Sequence, residues 1–133
     1  MANNFNFGEI ARKIKSIDLS LDMANTAKND FLNNFKTQSF NGTAWKKRKS
    51  TKDAGRNLLV KSGRLRRDVS NSVSTGHKNS NFSYTLVVNN PYAGYNNEGT
   101  NKMPQRQFVG MTPELNKKLL LKISQRLNKA WGI

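Results

Sequence analysis

The chain has no cysteine and few acidic residues. The absence of cysteine excludes disulfide bridges, thiolate metal sites and a cysteine nucleophile. The 8 Asp and Glu side chains stand against 23 Lys and Arg, which gives a formal net charge of +15. These acids are scattered, without the spacing of a paired-carboxylate site or a metal-ligand cluster. We therefore expect no redox chemistry, no metal and no cofactor.

The sequence also lacks the usual signatures of a catalytic site. It contains no Gly-rich phosphate-binding loop. Its one histidine, His77, falls in a predicted hairpin loop among Lys and Asn, with no carboxylate or serine placed to work with it. We therefore expect neither an enzyme nor a small-molecule substrate.

Long apolar runs are missing as well. No stretch approaches the ~20 residues that span a membrane, and the N-terminus has neither the basic nor the apolar region of a signal peptide. The hydrophobic fraction of 35% still includes seven Phe, three Tyr and two Trp, enough for one core in 133 residues. We expect a single domain over residues 1–133, soluble when made and without a membrane partner.

The positive charge is concentrated in the middle of the chain. Residues 41–70 carry ten basic and two acidic side chains, which accounts for +8 of the total +15. This pattern predicts a long basic loop whose candidate contacts to a partner or to DNA are Trp45, Lys46, Lys47, Arg48, Lys49, Lys52, Arg64, Arg66 and Arg67. An aromatic ring among cations suits stacking on single-stranded nucleic acid. Alternatively, Trp45 anchors a solvated loop.

Helical patterns flank this segment. From Asn6 to about Ser39, apolar residues recur at helical spacing. A continuous helix of that length would reach about 45–50 Å, so we expect it to break near Asp18 or to project beyond the core. At the other end, Thr112-Pro113-Glu114 is typical of a helix start. A stripe that is expected to be buried follows at Leu115, Leu119, Ile123, Leu127 and Trp131.

Between the helices the pattern is strand-like. Leu65, Val69 and Val73 can share one face of an extended stretch, and residues 76–81 indicate a hairpin loop. Alternation from Phe82 to Val88 predicts a strand with one buried face. The expected fold class is α+β, with a long N-terminal helix and a C-terminal helix packed on a small antiparallel sheet.

Residues 90–110 combine chain breakers with aromatic rings. Pro91 cannot donate to a sheet ladder and is expected to close the preceding strand, while the glycines allow turns. Two roles remain open for Tyr92, Tyr95, Arg106 and Phe108. Either the rings pack on the sheet while the guanidinium bonds to loop carbonyls or to Glu98, or these side chains contact a partner directly.

Several short motifs follow one another in a fixed order. They are Phe40-x-Gly42-x-x-Trp45, Leu59-Val60-x-Ser62-Gly63-x-Leu65, Pro91-Tyr92-Ala93-x-x-x-x-x-Gly99 and Pro104-x-Arg106-x-Phe108-Val109-Gly110. Set between two helices, they resemble the virion-morphogenesis or tail-completion proteins of tailed bacteriophages, which include head-tail joining and minor tail proteins. Where many of those proteins carry a histidine or a similar polar residue before the last Gly of the third motif, this chain has Tyr95-Asn96-Asn97-Glu98.

The resemblance implies a structural virion protein, made in the host bacterial cytoplasm, that assembles into a ring such as a hexamer at the neck or the top of the tail. Its partners would be further copies of itself, other neck, connector or tail-tube proteins, and phage DNA in the channel. Structural roles are implied for the motif residues Gly42, Trp45, Ser62, Gly63, Leu65, Tyr92, Ala93, Gly99, Pro104, Arg106, Phe108 and Gly110.

Charge limits how such a ring can assemble. Six copies would carry about +90, and self-repulsion of that size opposes contacts between like-charged surfaces. We therefore expect residues 45–52 to lie away from the middle of a subunit contact unless acidic groups of the neighbour meet them. A different function stays open, that of a small basic DNA-binding protein that uses residues 45–67 on phosphates.

Overall fold

Helices make up most of the described chain. The computed structural model describes residues 7–16, 18–47, 58–59 and 63–130. The helices are α1 (Phe7–Ser16), α2 (Leu19–Thr37), α3 (Arg64–Ser70), α4 (Ser72–Thr75), α5 (Ala93–Glu98) and α6 (Pro113–Ala130). Strands β1 (Ser39–Phe40) and β2 (Thr43–Ala44) form one antiparallel sheet, and β3 (His77–Ser80) and β4 (Ser83–Thr85) form another. The predicted α+β class is confirmed.

The expected long N-terminal helix is divided in two at Asp18. The carboxylate of Asp18 caps α2 by accepting hydrogen bonds from the Ser20 hydroxyl at 2.9 Å and the Leu21 amide at 3.4 Å. This is the ordinary role of an aspartate at a helix start, because it satisfies an amide that has no partner in the first turn. The break predicted near Asp18 is therefore confirmed, and α1 contacts α6.

The first hairpin, β1–β2, was missed by the sequence reasoning. Its turn is Asn41-Gly42, where both residues have positive φ, 49° and 80°. An Asn-Gly pair is a strong signal for a tight hairpin turn, because both central residues of such a turn need left-handed backbone. The register pairs Ser39 with Ala44 and Phe40 with Thr43. Trp45 therefore leaves the hairpin at a fixed position beside the end of α2.

The prediction of an extended stretch over residues 65–73 is wrong, because this region is helical. Leu65 and Val69 are buried, and Val73 is half-buried. A spacing of four residues places side chains on one face of a helix. In a strand the residues between them, Arg67 and Asn71, would share that buried face. The helical arrangement of α3 and α4 keeps both of them exposed.

The second hairpin is shifted from its expected position. Most of the predicted loop at 76–81 is strand β3, and the turn lies at Asn81-Phe82. Phe82 is consequently 49% exposed instead of facing a core. Strand β4 ends at Thr85, well before Pro91, so Pro91 does not terminate the strand. Leu86 and Val88 still pack on the core from the extended connection that follows.

The C-terminal helix begins at its predicted position, but of the described residues of its expected stripe only the first is fully buried. The Thr112 hydroxyl accepts a hydrogen bond from the Leu115 amide at 3.1 Å, and Glu114 lies in the first turn of α6. Leu115 is 1% exposed, and the later members of the stripe, Leu119, Ile123 and Leu127, are half-buried. Trp131 lies outside the described residues.

Helix α2 is the centre of the fold. It contacts α3, α4, α6 and strands of both sheets. Its Phe31 and Phe35 belong to one core cluster with Trp45, Leu65, Val69, Phe108 and Leu115. The two long helices therefore pack on each other as well as on smaller elements, and the strands form two small hairpins instead of one covered sheet.

Candidate functional site

The segment around Phe108 joins the motifs that lie far apart in the sequence. Phe108 is 1% exposed, and its ring centroid lies 5.4 Å from that of Phe35. Trp45 packs edge-on against Phe35 at 5.8 Å, with ring planes at 83°. Tilted and edge-to-face contacts are favourable arrangements of aromatic rings. We call this aromatic group, Phe35, Trp45 and Phe108, the junction.

The backbone beside Phe108 is held by side chains from three other segments. The Trp45 indole nitrogen Nε1 donates to the Gln107 carbonyl at 2.8 Å, and Asn34 Nδ2 donates to the Phe108 carbonyl at 2.9 Å. Asn97 Oδ1 accepts from the amides of Phe108 and Val109 at 3.0 and 3.1 Å. Irregular buried backbone needs such partners, because an unsatisfied buried polar group costs about 1–3 kcal/mol.

Arg106 ties the same segment to the start of the basic region. Its Nε donates to the Lys46 carbonyl at 2.9 Å, and its amide donates to the Asn96 carbonyl at 2.9 Å. The expectation that this guanidinium bonds to a loop carbonyl is confirmed. The carbonyl belongs to the residue that follows Trp45, so Arg106 fixes where the lysines begin.

Glycines at the motif positions meet specific steric demands. Gly99 has φ +78°, and a Cβ there would lie 2.9 Å from the Gln105 backbone nitrogen. A Cβ on Gly110 would approach the Phe40 ring to 2.9 Å. Gly99 therefore lets the chain after α5 pass close to residue 105. Gly42 and Gly63 also have positive φ, 80° and 72°.

The two tyrosines do not pack on a sheet as expected. Tyr92 is 64% exposed and Tyr95 is 56% exposed. The inner side of α5 is formed by Ala93, which packs against the core cluster, and by Asn97. Of the rings in residues 90–110, the packing role therefore fits Phe108 alone, and the tyrosine rings face outward.

Trp45 is placed differently from the cations that follow it. The residue is 6% exposed, and both its ring and its N–H are engaged within the junction. It therefore presents no ring face for stacking on a base, and it acts as an anchor for the segment that begins at Lys46. Lys46 and Lys47, the lysine pair, are exposed.

Helix α3 carries the arginines of the candidate surface. Arg64, Arg66 and Arg67 are exposed, whereas Leu65 is buried in the core cluster. Arg64 lies 3.7 Å from the Asp68 carboxylate, a weak contact for a side chain that is 63% exposed. The candidate contacts Arg48, Lys49 and Lys52 and the motif residue Ser62 lie outside the described residues.

Acidic groups of α2 are used inside the fold. Asp30 pairs with Lys118 at 3.0 Å and Asp22 with Arg126 at 3.0 Å, which links α2 to α6. Asp18 pairs with Lys78 of β3 at 2.7 Å. The hydrogen bond from Lys78, aided by that from Ser20, lowers the pKa of Asp18 below its usual value of 3.8. These carboxylates therefore offset little of the positive charge around Lys46 and α3.

The remaining chemistry of the described residues is sparse. A cleft of about 400 Å³ lies beside Trp45, between the first hairpin and residues 105–107, and Lys46 lines it. Searching the described ranges finds no group of His, Asp and Glu that could hold a metal ion. His77 is exposed on β3. In the same ranges, every helix is too short or too polar to cross a lipid bilayer.

Sequence reasoning missed the polar side chains that hold the junction. Asn34 bonds to backbone far away in sequence, and Asn97 bonds to the amides of Phe108 and Val109. Gln38 bonds to both the amide and the carbonyl of Leu58, at 2.6 and 3.1 Å. A signal existed for Asn97, because it falls in the span where the resembling proteins carry a polar residue. No comparable signal existed for Asn34 or Gln38. Each lies on or next to α2 among other polar residues, so nothing in the pattern marks it.

Comparison of the chain with protein-family models, with curated proteins and with solved structures gives no match. The family resemblance therefore depends on the order of the short motifs and on what their residues do in the fold.

Proposed function

We propose that this chain is a structural subunit of a tailed-phage virion, which completes the tail and joins it to the head as part of a ring. The observation that carries the proposal is the convergence of the motifs on the core cluster that contains the junction. Trp45 of the first motif, Leu65 of the second and Phe108 of the fourth belong to one core cluster, and Ala93 of the third packs against it.

This convergence gives the motif order a physical meaning. The described residues between 40 and 110 are linked by specific contacts: Arg106 bonds to the Lys46 carbonyl, and Gly99 permits the close passage of residue 105. The contacts outside the apolar core, such as the Arg106 bond, add to this, because burial of apolar side chains alone does not require them. The convergence therefore supports the idea that the motifs define a common structural unit.

The surface chemistry supports a structural partner instead of a substrate. Cations are exposed on both sides of the junction, at the lysine pair and on α3, while the α2 carboxylates are bonded internally. An exposed cationic surface is attracted to an acidic partner at long range. In a neck, that partner is an acidic protein of the connector or the tail tube, or the packaged genome.

A deletion experiment tests the proposal directly. The coding sequence is removed from the genome that carries it, particles are produced, and the lysate is imaged by electron microscopy. We expect filled heads and free tails that fail to join, and we expect the wild-type chain supplied in trans to restore complete virions. The Lys102→Ser chain, changed at an exposed residue that belongs neither to the lysine pair nor to α3, should restore them equally.

Mass spectrometry of purified virions gives the second readout. The chain should be present in a small, fixed number of copies per particle, and images of the neck should show a closed ring. Complete and infectious particles without the chain would overturn the proposal.

The second candidate is a DNA-binding protein that uses residues 45–67 on phosphates. The exposed cations Lys46, Lys47, Arg66 and Arg67 favour it, because none of the ion pairs between described residues involves them. Such a protein should bind duplex DNA with a salt slope near −0.9 per phosphate contact. If DNA does not retain the purified protein at moderate salt, this candidate is rejected.

A further inference from the structure

The outer face of α5 has an unusual composition for this basic chain. Tyr92, Tyr95 and Glu98 recur at intervals of three residues, and all are exposed. Residues three apart lie on the same side of a helix. We call this group the tyrosine face. Exposed tyrosines suit a protein–protein contact, because aromatic residues are enriched at interfaces.

The tyrosine face is held in place from behind. Ala93 packs on the core cluster, and the Asn97 side chain accepts the Phe108 and Val109 amides. The Gly99 amide closes the helix on the Tyr95 carbonyl at 2.8 Å. A surface that is fixed before binding loses less conformational entropy when it binds, which favours a role in recognition.

Charge identifies the kind of partner. The sequence has no lysine or arginine between Lys78 and Lys102, although the chain carries 23 of them. This stretch offers a nucleic acid no cation of its own, and an acidic protein would meet Glu98. A basic partner suits it, because a guanidinium can stack on a tyrosine ring and pair with a carboxylate at the same time.

The chain itself carries such a basic partner surface on α3. Arg66 and Arg67 are exposed, and none of the ion pairs between described residues involves either. Two copies of this chain, each with a net charge of +15, could meet at these surfaces without placing cations opposite cations. The arginines of one copy would face residues 79–101 of the next copy, which lack cations. This complementarity makes a second copy the favoured occupant.

The two surfaces lie on different sides of one molecule. Asp68 Oδ2 accepts a hydrogen bond from Asn90 Nδ2 at 2.8 Å, so this side of α3 faces the approach to α5. Arg66 precedes Asp68 by two residues, which is about 200° around a helix axis. Arg66 therefore lies on the side of α3 opposite Asn90 and the approach to α5, which suits a head-to-tail contact between copies.

We propose that the tyrosine face of one copy binds the α3 arginines, Arg66 above all, of a second copy. The contact is heterologous, so its repetition closes a ring when the rotation between neighbours is a fraction of a full turn. This inference rests on the proposed function and names the surfaces through which its ring would form. It leaves the lysine pair outside the contact and available to an acidic partner.

Cross-linking of introduced cysteines tests the contact in the full chain. Because the chain has no cysteine, any thiol product reports the introduced positions alone. Gly94→Cys lies on α5, where a Cβ meets nothing within 4 Å, and Ser70→Cys is exposed one turn after Arg66. Neither change removes a residue of the proposed contact. The two variants are mixed at high concentration and treated with a short bis-maleimide.

The expected product is a heterodimer of the Gly94→Cys and Ser70→Cys chains. It should be lost when Glu98→Lys is added to the Gly94→Cys chain, and regained when the Ser70→Cys chain then carries Arg66→Glu. Leu121→Cys, on an exposed position of α6, replaces Ser70→Cys in the matched control and should give no product.

Several outcomes would overturn the contact. Products between two Gly94→Cys chains alone would mean that tyrosine faces meet each other. Strictly monomeric protein without any product would remove the contact altogether. A ring seen by electron microscopy that yields no heterodimer would also reject it, while leaving the proposed function intact. Absence of the chain from virions would instead reject the proposed function.

Discussion

The segment from Trp45 to Arg67 and the segment between Lys78 and Lys102 have opposite charge compositions. The first is dense in lysine and arginine, and the second has neither. Both are nevertheless fixed to the same junction. Trp45 bonds to the Gln107 carbonyl on one side, and Asn97 bonds to the Phe108 amide on the other.

This difference shows that the distribution of charge is more informative than its sum. A net charge of +15 alone suggests a chain that binds polyanions and repels its own copies. Because residues 79–101 carry no cation, we propose that the tyrosine face meets another copy while the lysine pair meets an acidic partner. We therefore predict that substitutions in the lysine pair and in the tyrosine face affect different binding properties. Substitutions in the junction should affect both, because both segments are fixed to it.

The largest effect is expected at Trp45, which anchors the cation-rich segment. Trp45→Ala removes a buried ring and its hydrogen bond to the Gln107 carbonyl, and should lower the free energy of unfolding by about 3–5 kcal/mol. The double change of Lys46 and Lys47 to Ser should stay within about 0.5 kcal/mol, because both side chains are exposed. Urea unfolding followed by circular dichroism measures both.

A small effect of Trp45→Ala would contradict the assignment of this ring to the core. Trp45 would then count as a surface residue, and the junction and the lysine pair could no longer be treated as separate parts of the molecule.

A smaller effect on stability is expected at Gly99, which ends α5 within the stretch that lacks cations. Gly99→Ala places a Cβ at positive φ and 2.9 Å from the Gln105 nitrogen, which should cost about 1–3 kcal/mol. Gly94→Ala is the matched control, since it lies within α5 with open space around it and should be neutral or stabilising by up to about 1 kcal/mol. Equal denaturation midpoints for the two variants would refute this difference.

Local signals in the sequence were sufficient for the parts of the fold that are decided locally. The residues Thr112, Pro113 and Glu114 predict the start of α6. The Thr cap, the fixed backbone angle of Pro and the attraction of Glu to the helix dipole all act within one turn. The break at Asp18 was likewise expected near a residue that can cap a helix. The Asn41-Gly42 turn carried an equally local signal that the sequence reasoning did not use.

Features decided by distant contacts were not predictable in the same way. The four-residue spacing of Leu65, Val69 and Val73 suits a helix or, with polar residues between, a poor strand, and packing against α2 selects the helix. The outward position of Tyr92 follows from Asn97 and Ala93 facing the junction, which no periodicity in so short a helix reveals. Polar clamps such as Asn34 depend on backbone more than seventy residues away.

The two surfaces should separate in binding experiments. If the chain binds duplex DNA, the logarithm of its affinity should fall with the logarithm of the salt concentration. Changing Lys46 and Lys47 to Ser should reduce the steepness of that slope by about 1.8, which is about 0.9 for each of two lost phosphate contacts. Changing Tyr92 and Tyr95 to Ser should leave that slope unchanged, since the tyrosine face lacks cations. Equal losses from both double variants would show that the two surfaces act as one.

The smallest effect concerns Asp18 and Lys78, the lysine that borders the cation-free stretch. The folded-state pKa of Asp18 is lowered below 3.8, chiefly by the Lys78 hydrogen bond, so its contribution to stability is present above about pH 3.8 and is lost as the pH falls through the lowered value. Asp18→Asn keeps a good helix cap but removes the charge. Its denaturation midpoint should therefore lie below that of the wild type at pH 6, and the two should converge near pH 2. Equal midpoints at pH 6 would mean that the cap, which Asn retains, and not the ion pair, is what Asp18 contributes.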